Sequence, residues 1–403
     1  MILSRTVRAL LGAAADTSRP FAVWRRPNAS GAESIVGCSA IGRRQIFGDG
    51  NDGPFFALNR FVTADANLAD AIEGDVLVRG GEITFRAGAT YAAGPDTDAQ
   101  AALHSAAQSR DPDAPIHADD SGVRPVQTDR AAYEKLVKRA VEAIGAGAFR
   151  KVVTSRCEAR PLPEGQDLIA LFEALAAKLP TAYVCLVRIP GEGAWLVGTP
   201  ETLVSVRDGR LATIALAGTQ WAQEAVALAD ICWPDKIIEE QALVSAYIRR
   251  ALEAAGFRDH EETGPRTVAA ANLVHLRSDF AADVKGEDGA RLGDLLTRLH
   301  PTSAVLGLPK APALDFLTAH EGYDRSYYTG FLGPVGFDGA TDLFVNLRTA
   351  QIIGGTAYLY VGGGIVAQSK PDVEWQETVE KTKTVGTVID GPADGPAQLS
   401  RAG

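Results

Sequence analysis

The stretch that decides the reading runs from Leu299 to Lys381: LHPTSAVLGLPK (299–310), EGYDRSYYTGFLGPVG (321–336), NLRTAQII (346–353), GGGIV (362–366) and EWQETVEK (374–381). Its apolar frame carries one polar set: His300, Tyr328, Arg348, the glycines 362–364, Glu374, Glu377 and Lys381. Two carboxylates three residues apart, with a lysine four further on, lie on one face of a helix. An arginine offers a planar fork for a carboxylate. Together they suit a hard cation and a small, multiply anionic ligand. Taken alone, the same helix face is a surface salt-bridge stripe worth a few tenths of a kcal/mol. The GGGIV run, read as a glycine-rich turn, lacks the spacing of a phosphate-binding loop.

Working outward, strand signals dominate. TAYVCLVRI and AWLVG form an expected hairpin around Pro190 to Gly193, and ETLVSV and RLATIAL another around Asp208-Gly209. Residues 344–353 read as one strand, pairing with 356–361 through Gly354-Gly355. Helical spacing runs from Tyr133 to Ile144, from Asp167 to Leu179 and from Asp235 to Ala254. Ser369 is the expected cap of a last helix, with Pro371 in its first turn. Residues 1–105 read as strands and loops with short helices, and 106–128 as a polar loop. Hairpins outnumber β-α-β units, so the expected fold class is α+β with mainly antiparallel sheet and helices packed outside. Three parts are expected: residues 1–120, β-rich and belonging to the same fold; a core over 121–390; and a flexible tail, 391–403.

The chain has 403 residues, enough for a large core, and a net charge of -10. That charge argues against nucleic acid and polybasic membrane roles, and an anionic substrate needs local cations. Cys38, Cys157, Cys185 and Cys232 are scattered without a metal-binding spacing, and read as reduced thiols of a cytoplasmic protein. No apolar run approaches the length of a membrane span.

In order along the chain, KVVTSR (151–156), GTPETLVSV (198–206), LAGT (216–219), KIIEEQALV (236–244), VHLRS (274–278) and the C-terminal pieces above resemble the chorismate-utilising enzymes, and among them the isochorismate synthases. The likeness covers roughly residues 129–388. It implies a single large α+β unit, two mainly antiparallel sheets packed between outer helices. It implies Mg²⁺-dependent interconversion of chorismate and isochorismate, serving menaquinone or catecholate siderophore synthesis. Lys151 would be the base that activates water, and Glu201 the acid that protonates the leaving hydroxyl. Glu240 and Glu377 would hold Mg²⁺, with Glu374 close by. Tyr328 and Arg348 would meet the pyruvyl carboxylate. Lys381 and the amides near Gly363 and Gly364 would meet the ring carboxylate, and Thr219 and His275 would line the ring pocket. His300 is open between site and core. The resemblance implies a monomer without a glutaminase subunit, because the ammonia-using branch typically has Gln where Lys151 stands. A salicylate synthase, which carries isochorismate onward with loss of pyruvate, and a silent chorismate-binding homologue are the alternatives. Departures from the pattern are Gln220, Ile237 and the Glu240-Gln241 pair.

Overall fold

The computed structural model describes residues 3–38, 40–48, 53–79, 82–85, 97–221, 228–270, 273–285 and 288–391. The first part of the chain forms α1 (Arg5–Asp16), β1 (Phe21–Arg25), β2 (Glu33–Val36), β3 (Gly42–Gln45), β4 (Phe55–Asn59), β5 (Leu68–Glu73), β6 (Val76–Arg79), β7 (Glu82–Phe85) and α2 (Thr97–Ser109). The middle forms α3 (Arg130–Gly145), β8 (Lys151–Pro161), α4 (Leu168–Lys178), β9 (Tyr183–Ile189), β10 (Gly193–Thr199), β11 (Thr202–Arg207), β12 (Arg210–Trp221), α5 (Asp235–Ala254), β13 (Glu261–Ala270) and β14 (Leu273–Asp283). The last part forms α6 (Gly289–Leu299), β15 (Gly307–Leu308), α7 (Lys310–His320), β16 (Phe331–Val335), β17 (Thr341–Val345), β18 (Thr349–Ile353), β19 (Thr356–Ile365) and α8 (Pro371–Ile389).

Two sheets result. One has ten strands, ordered β15-β8-β19-β18-β10-β9-β1-β2-β6-β7, and the other nine, ordered β13-β14-β12-β11-β17-β16-β4-β5-β3. The ladders between these named strands are antiparallel. Strands from the first hundred residues complete both sheets.

Side-chain alternation explains the layering. In β1, Phe21 and Val23 face the core shared with α1, α2, α4 and α8, while Ala22 and Trp24 face the layer between the sheets. In β4, Phe56 and Leu58 enter that same layer from the second sheet, and Phe55 and Ala57 turn to α5 and α6. Strands buried on both faces must be apolar throughout, which is why YVCLVRI and FFAL hardly alternate. Tyr183 stacks on Phe344 across the layer, ring centroids 3.9 Å apart.

Three expectations need correction. Residues 344–353 are two strands in different sheets, β17 and β18, separated where Arg348 takes a φ of 49°. Gly362 to Gly364 sit inside β19 rather than in a turn. The cap of α8 is Lys370, with no side-chain hydrogen bond, because the Ser369 hydroxyl instead accepts from the Val366 amide at 3.1 Å. Asp208 and Gly209 do form the expected two-residue hairpin, with φ of 51° and 71°. The expected tail lies outside the described residues from 392 onward.

Among its passages between the sheets, the chain goes from the first sheet to the second between β10 and β11, and from the second to the first between β17 and β18. The two crossings run side by side: Gly198 donates its amide to the Arg348 carbonyl at 3.1 Å, and Val345 donates to the Glu201 carbonyl at 3.0 Å. Glu201 and Arg348 are therefore delivered together to one end of the sheet pair.

Candidate active site

At that end lies a cavity of about 200 Å³ whose walls include Lys151, Glu201, Gly218, Glu240, His275, Tyr328, Arg348, Gly363, Gly364, Glu377 and Lys381. Ten of the twelve expected site residues stand among these walls. Thr219 lies on β12, but its side chain is outside the described residues. Glu374 is buried behind the wall: a Cβ placed on Gly363 would meet Glu374 Oε2 at 3.5 Å, the Tyr133 hydroxyl at 3.6 Å and Glu377 Oε1 at 3.7 Å.

Lys151 opens β8 and is buried, with its ammonium on the Glu240 carboxylate of α5. Gly364 makes room for that contact, since a Cβ there would come 3.0 Å from Lys151 Cε and 3.8 Å from Glu240 Oε1. On α8, Lys381 bonds Glu377 Oε1 at 2.6 Å and donates to the Gly362 carbonyl at 2.8 Å. Glu240 and Glu377, two of the carboxylates expected to bind metal, thus each face a lysine. Among the described residues, no group of three or more His, Cys, Asp or Glu is arranged to hold a metal ion.

Glu201 is buried at the sheet crossing, and burial pushes its carboxyl up to about 7; Thr302 and the charge of Lys151 pull the other way. The Thr302 hydroxyl lies 3.5 Å from Glu201 Oε1, and the Glu201 amide donates to Thr199 Oγ1 at 3.2 Å. A carboxyl titrating near neutrality keeps a proton to give.

His275 is also buried, and burial lowers it to about 4. Its Nδ1 donates to the Gly218 carbonyl at 3.0 Å, which holds the neutral ring in one tautomer. Gly218 can turn that carbonyl inward because its φ is +65°, beside a register shift in the β12–β14 ladder. Tyr328 is buried and stacks on Tyr360 at 5.3 Å; burial raises its phenol well above the usual range. Arg348 reaches Thr384 of α8 at 3.3 Å.

His300 belongs to the core side of its two readings. Its Nε2 donates to the Arg60 carbonyl at 3.0 Å, its ring meets Phe331 edge-on, and it is not a cavity wall. Sequence reasoning passed over Thr302 and Tyr360, which touch or line the site, and singled out Ile237 only as a departure from the family pattern. Thr302 stood in the quoted LHPTS run, but nothing in its spacing points to Glu201, about a hundred residues away.

Residues 86–390 match the family model described as chorismate binding enzyme. The chain is similar to the salicylate biosynthesis isochorismate synthase of Pseudomonas aeruginosa, 35% identical over 258 residues, covering 63% of this chain and 53% of that protein. It is similar to isochorismate synthase MenF of Escherichia coli (30% over 266 residues, 65% and 61% covered) and to anthranilate synthase component 1 of Mycolicibacterium smegmatis (30% over 277 residues, 65% and 51% covered). The matched part spans about half to three-fifths of the length of these relatives. The solved structure of the menaquinone-specific isochorismate synthase MenF from Escherichia coli superposes with a TM-score of 0.77 at 25% identity, covering 94% of this chain and 91% of that one. A putative 2,3-dihydroxybenzoate-specific isochorismate synthase from Bacillus anthracis, at 21% identity and TM-score 0.72, shares the fold. With more than half of its residues inside the matched span, the chain belongs to the chorismate binding enzymes.

Proposed function

We propose that this protein is an isochorismate synthase that interconverts chorismate and isochorismate. The observation that carries the reading is the pairing, in one cavity, of buried Lys151 with a Glu201 carboxyl raised to about 7. Lys151 takes a proton from water, whose oxygen bonds to ring C2. Glu201 gives a proton to the C4 hydroxyl, the C4–O bond breaks, and the double bond shifts. One water enters and one leaves, so the reaction is an isomerisation. Arg348 and Tyr328 orient the pyruvyl carboxylate. Lys381 and the amides of Gly363 and Gly364 face the ring carboxylate.

The family implies Mg²⁺, and the donor set fits it: carboxylate oxygens only, from two helices, with two side-chain-free residues of β19 between them. Glu240 and Glu377 would hold the ion, with Glu374 behind. When bound, it supplies positive charge that offsets the substrate carboxylate. Similarity to an anthranilate synthase component raises the ammonia-using reaction as a rival, and a lysine at position 151 favours water.

The test is incubation of the purified protein with chorismate, with Mg²⁺ or with EDTA, and chromatographic identification of the products. Isochorismate formed only with metal supports the reading. Salicylate with pyruvate would move the activity to a salicylate synthase, and no product would leave a binding protein.

A further inference from the structure

Behind the cavity, outside its walls, Glu321 and Arg325 form a buried ion pair with side chains 4% and 1% exposed. The pair is two-pronged: Arg325 Nε donates to Glu321 Oε2 at 2.6 Å and Nη2 to Oε1 at 2.8 Å. The remaining guanidinium donors go to the Val153 carbonyl at 2.6 Å, the Val305 carbonyl at 3.0 Å and the Thr329 hydroxyl at 3.3 Å. Five hydrogen bonds use the full donor capacity of the group. Glu321 Oε1 also accepts from the Ser155 amide at 2.7 Å and its hydroxyl at 2.8 Å.

These partners are three separate walls of the cavity. Val153 lies two residues beyond Lys151 on β8. Val305 lies in the turn opened by Thr302, which reaches Glu201. Thr329 follows Tyr328. Arg325 thereby ties the strand of the proposed base to the turn that supports the proposed acid. A buried ion pair is a weak source of stability, because desolvation offsets much of the attraction, and apolar replacements of similar volume are often tolerated. Its geometric specificity is another matter: a planar fork with five fixed donors allows only one mutual placement of the segments it joins.

We propose that Glu321 and Arg325 are positioning residues, which set the distance and orientation between Lys151 and Glu201 without touching substrate. The inference rests on the reading of those two as base and acid. The experiment compares wild type with the double variant Glu321→Leu/Arg325→Met and with Arg325→Lys, measuring kcat and KM on chorismate per folded molecule, with far-UV circular dichroism and Tm. A misplacement of about 1 Å between catalytic groups costs on the order of 10²-fold, so kcat of the folded double variant is expected to fall by about that factor while KM moves less than about threefold. Arg325→Lys, which keeps a cation but not the fork, is expected to fall between the two, and it decides the matter if the double variant does not fold. Folded variants with wild-type kcat, or a loss that follows only the unfolded fraction, would overturn the inference and leave the functional reading intact. A wild type that makes no product from chorismate would overturn both.

Discussion

Val345 donates its amide to the carbonyl of Glu201 at 3.0 Å, so the backbone of the proposed acid is held by the strand that leads to Arg348. The proposed acid and the arginine proposed to bind a carboxylate are tied to each other through the backbone. That arrangement holds Glu201 in a buried seat at the cavity wall, and burial accounts for its raised carboxyl.

Glu201→Gln keeps the shape and removes the proton. Turnover is expected to drop by about 10²–10⁴-fold with unchanged far-UV circular dichroism. A folded variant with wild-type kcat would end the assignment.

The same residue sets a pH limb. Glu201 must be protonated to donate, so activity is expected to fall as pH rises through about 7. His275 and His300 are lowered to about 4 and are neutral throughout that range. His275→Asn should therefore leave the limb in place; its disappearance would transfer the limb to the histidine.

Stability carries a matching signature. Below the unfolded carboxylate value of 4.5 both states are protonated; between 4.5 and about 7 the folded state keeps a proton that the unfolded state has lost. Stability contributed by this group therefore declines as pH rises across that window, by on the order of 3 kcal/mol. Glu201→Gln lacks the loss, so its Tm should exceed that of wild type at pH 8 and converge with it near pH 4. Equal pH dependence of Tm in the two proteins would refute the raised carboxyl.

The glycines of β19 separate structure from function. A Cβ at Gly362 would lie 2.6 Å from the Thr154 carbonyl, in the strand backbone, so Gly362→Ala should lower Tm. A Cβ at Gly364 meets instead the Lys151 side chain. Gly364→Ala is expected to fold and lose turnover by displacing that amine. Kinetics and thermal melts of the two variants, run together, check the contrast.

Metal dependence tests Glu377 and Glu240. Glu377→Ala and Glu240→Gln should each weaken Mg²⁺-dependent chorismate binding in calorimetry, by tenfold or more on the scale of about 1.4 kcal/mol per decade. Binding that is unchanged, with or without EDTA, would remove the carboxylates from that role.

Legibility in the sequence followed the range of the signals. The β9–β10 and β11–β12 hairpins and α5 were readable because periodicity and turn residues are local. The split between β17 and β18 was not, because Arg348 adopts a positive φ with no glycine or asparagine to announce it. Gly362 to Gly364 suggested a turn, whereas they are strand residues that leave side-chain space for Lys151 and Glu377. Residues 1–105 were read as holding short helices without placing them; α1 and α2 run 12 and 13 residues, and α2 ends at Ser109, inside the stretch read as a loop. Most site residues were found through their ordered resemblance to a family. Thr302 meets Glu201, Glu321 meets Ser155 and Arg325 meets Val153, contacts between residues more than a hundred positions apart that only the folded arrangement exposes.

The paired sheet crossings have a mechanical consequence. The chain passes twice between layers at one place, and those passes are stitched to each other through Gly198–Arg348 and Glu201–Val345. Sliding one sheet over the other would strain both passes together and shear the aromatic layer where Tyr183 meets Phe344. The sheet crossings therefore form the fixed part of the cavity, with Glu240 brought to it by α5 and Glu377 and Lys381 by α8.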